Sequence, residues 1–345
     1  QKAAKLTGLS VHQLKTNTAA NIQGGAALLR FYQKSLGKSL TANLNSWYAA
    51  VAKYSQSDSK VAANYFAENV YQILKDGESQ NGITIAPQKV VHLKDQSINS
   101  DSTASSTDGP SGLPIEWIPA LYKEFDDQGD YGNYDLADRP NDMKINYIVI
   151  HNTETSFQEA LDLFSTPTYT TANYVVSSVE GTVAEMVRPQ NVAWHAGNWY
   201  INSHSIGIEH EGYATVGGFW YTENMYRSSA ALVKYLANQY DIPLDRQHII
   251  GHDNVPGLTP AAQKTMHWDP GTYWNWDHYF SLMGVNLRQS QGRTDSSIIT
   301  ITPDSQHNLT ADSGEKVTDA GVNLPLAGSN FVYLHQRPSF SSSLI

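Results

Sequence analysis

Two histidines that close apolar runs, and an aspartate in a tight turn, make up the donor set of a metal centre. His151 follows Tyr147-Ile148-Val149-Ile150, His252 follows His248-Ile249-Ile250-Gly251, and Asp269 sits in the turn Trp268-Asp269-Pro270-Gly271. Two imidazoles and one carboxylate can hold a zinc ion and leave a fourth position open for water, which is the layout of a catalytic rather than a structural site. A histidine at a strand end is more often just a polar residue leaving a sheet, so the words around these ligands decide the reading.

Those words are Ile148-Val149-Ile150-His151-Asn152-Thr153-Glu154, Ala193-Trp194-His195-Ala196-Gly197, Ser205-Ile206-Gly207-Ile208-Glu209-His210-Glu211-Gly212, Ile249-Ile250-Gly251-His252-Asp253 and Asp269-Pro270-Gly271. In type and order they resemble the zinc-dependent N-acetylmuramoyl-L-alanine amidases of the amidase-2 family, whose relatives include phage lysozyme-type amidases and animal peptidoglycan recognition proteins. The resemblance covers roughly Pro119 to Gly284. It implies a hydrolase that cuts the amide between N-acetylmuramic acid and L-alanine, with peptidoglycan or muropeptides as partner and zinc on His151, His252 and Asp269. It also implies a bacterial protein that is secreted or associated with the cell wall.

The family's catalytic carboxylate corresponds to Glu209, the first Glu of Ile-Gly-Ile-Glu, which would accept a proton from water and pass it to the leaving amine. Glu211 lies two residues along the same extended run, faces the same side by the period of two, and is the second candidate. His267 precedes Asp269 by two residues, where better-known members carry Lys or Thr. An imidazole there would stabilise the tetrahedral oxyanion, with a charge more dependent on pH than a lysine's. The rival assignment makes His267 a zinc ligand in place of Asp269. His195 matches a motif that lines the substrate groove, with Trp194 as an apolar wall or as core packing. His210 alternates with Glu209 and is expected to be structural. Asn152, beside the first ligand, and Asn173, where relatives often have His, are open to supporting roles.

A reading from another class is a recognition module that binds peptidoglycan without cutting it. Non-catalytic relatives typically lose a ligand, whereas this chain keeps the full set. A zinc peptidase of unrelated fold is disfavoured because no His-Glu-x-x-His helix is present.

The 345 residues, 40% hydrophobic, suffice for two domains with cores of their own. Thirty-three acidic against 23 basic residues give a net charge of -10, which argues against nucleic acid as a partner. Cysteine is absent, so disulfides, thiolate ligands and a cysteine nucleophile are excluded. No apolar run reaches the roughly 18 residues of a membrane span, and Gln1-Lys2-Ala3-Ala4-Lys5 lack the apolar stretch of a signal peptide.

The elements that must position the site fall in residues 114–285. There the apolar run Ile145 to Ile150 predicts a strand, and Ser156-Phe157-Gln158-Glu159 predicts a capping box opening a helix with Leu161 and Phe164. Tyr174 to Val176 and Thr182 to Val187 flank a Glu180-Gly181 turn as a hairpin, Ser205 to His210 predicts a strand, and Met225 to Tyr240 a long helix ending before Pro243. The expected class is α/β, a mixed central sheet flanked by helices, preceded by a small all-α domain.

That first domain, 1–94, reads mostly as helix, with three short amphipathic helices spaced around Ala20 to Leu29, Leu44 to Tyr54 and Val61 to Leu74 and broken at Gly37 and at Ser55 to Ser59. Its words Asn21 to Leu29 and Leu44 to Ser55 are similar to the C-terminal half of a lysozyme-like lytic transglycosylase domain. The catalytic Glu of that family lies upstream of this helix, and no Glu occurs here before Glu68, so wall binding or packing is the expected role. Residues 95–113, rich in Ser, Thr, Asp, Asn and Gly, read as a polar linker. In the extension 286–345, Ser296 to Ile301 and Phe331 to Leu334 suggest strands, and Leu334 to Ser339 resembles the start of a bacterial SH3-like wall-binding repeat.

Overall fold

The computed structural model describes residues 1–57, 60–80, 83–90, 107–123, 132–287, 318–319, 322–323, 329–330, 336–337 and 342–343. The N-terminal region begins with short helices α1 (Lys2–Thr7) and α2 (Val11–Thr16), followed by α3 (Thr18–Ser35), α4 (Tyr48–Tyr54) and α5 (Lys60–Asp76). Ser10 and Gln13 form a capping box at α2, and the Asn17 side chain accepts the Ala20 N–H at α3. Tyr48, Val51, Ala67 and Tyr71 form the small core, with the two tyrosine rings 5.3 Å apart. The third expected helix, Val61 to Leu74, lies within α5. Gly77, at φ 78°, ends α5 in the left-handed conformation, and the antiparallel strands β1 (Glu78–Gln80) and β2 (Ile83–Ile85) follow.

The second region runs through β3 (Ile115–Trp117), β4 (Tyr134–Asp135), β5 (Tyr147–Ile150), α6 (Phe157–Phe164), β6 (Tyr174–Val176), β7 (Val183–Glu185), β8 (Val192–Ala193), α7 (Trp199–His204) and β9 (Ser205–His210). It continues with α8 (Gly217–Trp220), α9 (Glu223–Gln239), β10 (Ile249–Gly251), α10 (Pro260–Gln263) and α11 (Trp276–Leu282). A six-stranded sheet has the order β10-β5-β9-β6-β7-β3. Only the β6–β7 pair is antiparallel among its neighbours, so the sheet is mixed, as the alternation of apolar strands and amphipathic helices predicts. The Ser156–Glu159 capping box is present at α6.

Both sheet faces are covered, which is why the strands read as nearly continuous apolar runs. Ile148, Ile150, Ile206, Ile208, Tyr174 and Val176 pack on one face against Leu232, Val233 and Leu236 of α9 and Phe280 of α11. On the other face Val149 and Ile250 pack with Ala196 and Ile201, while Val175 and Ala184 pack with Leu161 and Phe164 of α6. Side chains alternate along a strand, so His151 keeps the parity of Val149, His252 that of Ile250, and Glu209 that of Gly207. All three emerge on the second face at the C-terminal ends of the adjacent parallel strands β10, β5 and β9.

The helical region touches the sheet domain through α5 and α9. Tyr65 packs against the main core, the Asn69 amide donates to the Asn224 side-chain oxygen at 2.8 Å, and Arg227 lies 3.7 Å from the Glu78 carboxylate. At the far end β11 (Thr318–Asp319) pairs antiparallel with β12 (Val322–Asn323). The strands expected near residues 296–301 and 331–334 lie outside the described residues, as do most of the Leu334–Ser339 word and the linker up to residue 106.

Candidate metal centre

His151, His252 and Asp269 come together in space, with their ligand atoms all within 4.8 Å of one another. His151 Nδ1 lies 3.2 Å from Asp269 Oδ2, and His252 Nδ1 lies 2.9 Å from Asp269 Oδ1. Imidazole and carboxylate ligands about 2.0–2.2 Å from a zinc ion stand at comparable separations from one another, and two nitrogens with one oxygen suit zinc chemically. Burial adds a second observation. His151 and Asp269 are each 1% exposed and His252 8%. Among the described residues, the buried atoms Glu209 Oε2 and His252 Nε2 have no hydrogen-bond partner, so the cluster holds polar groups that its neighbours leave unmatched. These residues fit a zinc ion.

The β5 strand delivers His151 beyond its last paired residue, where the His151 N–H donates to Ile208 O and the His210 N–H donates back to His151 O. The Asn152 N–H donates to Asp269 Oδ2 at 2.8 Å, and the Asn152 amide donates to His210 O. Asn152 thus ties the turn carrying Asp269 to the ends of β5 and β9. The Asp253 N–H donates to the Asp269 carbonyl at 2.9 Å, so the two ligand segments beyond β10 are joined by backbone as well.

Electrostatics in this cluster oppose one another. Burial alone would raise the Asp269 carboxyl, but the imidazoles of His151, His252 and His267 that face it outweigh burial and hold the group well below the usual carboxylate range. Burial pushes His151 down to about 4, which keeps the imidazole neutral, as a ligand must be. Glu209 goes the other way: burial, then the nearby Asp269 and Glu154 carboxylates, raise it well above its ordinary value.

His267 is the most open member, with its side chain 44% exposed and its Nδ1 2.5 Å from Asp269 Oδ1. That hydrogen bond raises its pKa. It stands at the mouth of the cluster, beside the exposed ring of Trp268, and it shares the Asp269 oxygen that faces His252. The rival ligand assignment has His267 replacing Asp269, whereas the geometry centres every contact on the aspartate.

The remaining expected residues are placed as follows. His195 lies behind His151, 7% exposed, with its Nδ1 2.8 Å from His151 Nε2; it is packed under the ligand rather than lining an open groove. Trp194 is half-buried, its indole N–H donating to Asp135 at 2.9 Å. Pairing of β4 with β8 brings that carboxylate within reach. Glu211 was expected on the same face as Glu209, but β9 ends at His210, and the Glu211 carboxylate accepts the Ser178 N–H at 2.7 Å and the Ser177 hydroxyl at 3.1 Å. It caps a turn outside the cluster. His210 faces the opposite side, 2.7 Å from the Ser229 hydroxyl. Asn173 is fully buried, accepting the Gly207 N–H and donating to the Val187 carbonyl.

Sequence reasoning passed over Glu154. It holds a positive φ of 49°, its carboxylate accepts the Ala214 N–H at 3.0 Å, and its charge acts on Glu209. Its place three residues after His151, in the same word, was the available signal.

Part of this chain is similar to known proteins. A family model described as N-acetylmuramoyl-L-alanine amidase matches residues 141–272. N-acetylmuramoyl-L-alanine amidase A of Achromobacter lyticus is 29% identical over 147 residues, covering 39% of this chain and 81% of that protein. Among solved structures, a mutant endolysin from Bacillus subtilis shows 19% identity, a TM-score of 0.34, and coverage of 50% of this chain and 99% of its own. Drosophila peptidoglycan recognition protein SD shows 17% identity, a TM-score of 0.29, and coverage of 41% and 85% respectively. Every word that carries His151, His252 or Asp269 lies inside the matched stretch, so residues 141–272 resemble an amidase-2 domain.

Proposed function

We propose that the chain is a zinc-dependent N-acetylmuramoyl-L-alanine amidase that hydrolyses the bond between N-acetylmuramic acid and L-alanine in peptidoglycan. The observation that carries this reading is the buried convergence of His151, His252 and Asp269 beside an unpaired Glu209 carboxylate oxygen. A zinc ion held there would supply Lewis acidity to a water and to the scissile carbonyl, and positive charge to offset the repulsion that Asp269 and Glu154 exert on Glu209.

The chain's own groups divide the remaining work. Glu209 takes a proton from the attacking water and returns it to the departing amine of L-alanine, so the C–N bond breaks without releasing an amide anion. Its Oε2, without a hydrogen-bond partner among the described residues, is available for that transfer. His267, held by Asp269 and open on its other side, donates to the carbonyl oxygen as it gains charge. Trp268, 47% exposed beside it, offers an apolar surface to the glycan or stem peptide. The test is a digest of purified peptidoglycan with metal analysis of the same preparation. New N-terminal L-alanine together with bound zinc is expected; binding to wall with neither would favour the recognition module.

A further inference from the structure

We propose that His195 and Ser205 form a directional hydrogen-bond relay that fixes His151 in the tautomer protonated at Nε2, leaving its Nδ1 lone pair aimed at the metal position. The proposal rests on the zinc reading above and deepens it by assigning positioning residues.

The relay can be followed atom by atom. His151 Nε2 lies 2.8 Å from His195 Nδ1, His195 Nε2 lies 3.2 Å from Ser205 Oγ, and the Ser205 hydroxyl donates to the Ile201 carbonyl at 2.6 Å. The carbonyl is the only one of these partners that has no choice of role: it accepts. That orients the Ser205 hydrogen toward Ile201 and leaves the Ser205 oxygen to accept from His195 Nε2–H. His195 Nδ1 then accepts from His151 Nε2–H, and the opposite nitrogen of His151 carries a lone pair. The reverse direction, with His151 Nδ1–H donating to Asp269, needs the Ser205 hydrogen to turn to His195 and strips Ile201 of this partner. A carbonyl at the end of α7 therefore biases which nitrogen of His151 is free.

Independent features hold the relay in place. An added Cβ on Gly207 would lie 2.5 Å from His195 Cγ, so the imidazole rests directly on the β9 backbone where no side chain intervenes. Gly207 is itself pinned, because its N–H donates to Asn173 Oδ1 and its carbonyl accepts the Asn173 N–H, both at 3.0 Å. The buried Arg139 guanidinium donates to the carbonyls of Asn202, Ser203 and Ser205, fixing the junction of α7 and β9 from which Ser205 projects.

The experiment uses the full chain, with Zn2+ binding measured by chelator competition and histidine tautomers read by 15N NMR. Wild type should show both His151 and His195 protonated at Nε2 in the zinc-bound form. H195L removes the acceptor and should weaken Zn2+ binding about 10- to 100-fold, whereas H195N, whose side-chain oxygen can occupy the Nδ1 position, should stay within about threefold of wild type. S205A should keep the fold yet shift the His195 15N pattern. A folded H195L with wild-type affinity, H195N as weak as H195L, or S205A with an unaltered 15N pattern would overturn the relay. A wild-type chain that binds no Zn2+ would overturn the zinc reading itself, a result distinct from each of these.

Discussion

Glu209 and Asp269 share one cluster yet are driven in opposite directions, and that separation supports different roles. Asp269 faces the imidazoles of His151, His252 and His267 and accepts the Asn152 N–H, so it stays ionised and suits a ligand. Glu209 receives no such donors and is raised by burial and by the neighbouring carboxylates, so it suits proton transfer. Glu209→Gln is expected to retain zinc and lose turnover by roughly a hundredfold or more, whereas Glu211→Gln, which only loosens the Ser178 turn, should leave turnover nearly unchanged. Single-variant kinetics with the reverse ranking would exchange the two roles. His151→Ala, His252→Ala or Asp269→Ala should each abolish bound zinc, while His267→Ala should keep the ion and lose rate. Metal content per chain separates the assignments, and loss of zinc only in His267→Ala would make that residue the ligand. The convergence of His151, His252 and Asp269 was legible in the sequence because each residue ends or adjoins a characteristic word. The burial of His195 was not, since it depends on the β9 register that sets Gly207 beneath the ring.

Strand ends place the site, and their apolar runs made β5, β9 and β10 readable in advance. The capping box at α6 and the β6–β7 hairpin were readable for the same local reasons. Short α1 and α2, a turn or two each, are too brief to show a period, and the β1–β2 hairpin follows a run that still looks helical until Gly77. Nor could sequence show that β7 would bury an acid. Glu185 accepts the Asp108 N–H at 2.8 Å and pairs with Arg188 at 2.9 Å, yet burial dominates and raises it from 4.5 to about 7. A raised carboxyl means the folded chain holds a proton that the unfolded chain gives up. This contribution to stability is therefore fully present below pH 4.5 and is lost as pH rises through about 7. Glu185→Gln removes the titration. Urea unfolding at pH 5 and pH 8 should show wild type losing on the order of 2 kcal/mol more than the variant across that interval. An identical pH dependence in both proteins would show that the acid ionises freely in the fold.

At the scale of the whole molecule, the sheet separates two surfaces with different work. The metal cluster opens on the face shared by Val149 and Ile250, whereas α5 meets α9, which covers the opposite face. Among the described residues, the helical region meets the sheet domain through Tyr65, which packs on the core and approaches Ser228, the Asn69–Asn224 amide pair and the Arg227–Glu78 approach. We expect residues 1–94 to act as a separate module that delivers the enzyme to the wall. A fragment beginning at residue 107 retains Asp108, whose N–H reaches Glu185 and whose carbonyl accepts from the Tyr174 hydroxyl, and Leu113, which belongs to the core. It should fold, with stability reduced by about 1–3 kcal/mol for the uncovered Tyr65 contact and its polar neighbours. Its rate on a small soluble muropeptide should match that of the full chain, because the contacts described for α5 go to α9 and the main core, on the sheet face opposite the metal cluster. On insoluble wall the fragment should fall behind, since tethering raises local substrate concentration without altering the chemistry. Equal rates on wall would remove the targeting role, and a slower rate on the soluble muropeptide would mean that α5 acts on the site through α9 and the sheet. Reducing sugar ends released by residues 1–94 alone would instead give the helical module an activity of its own.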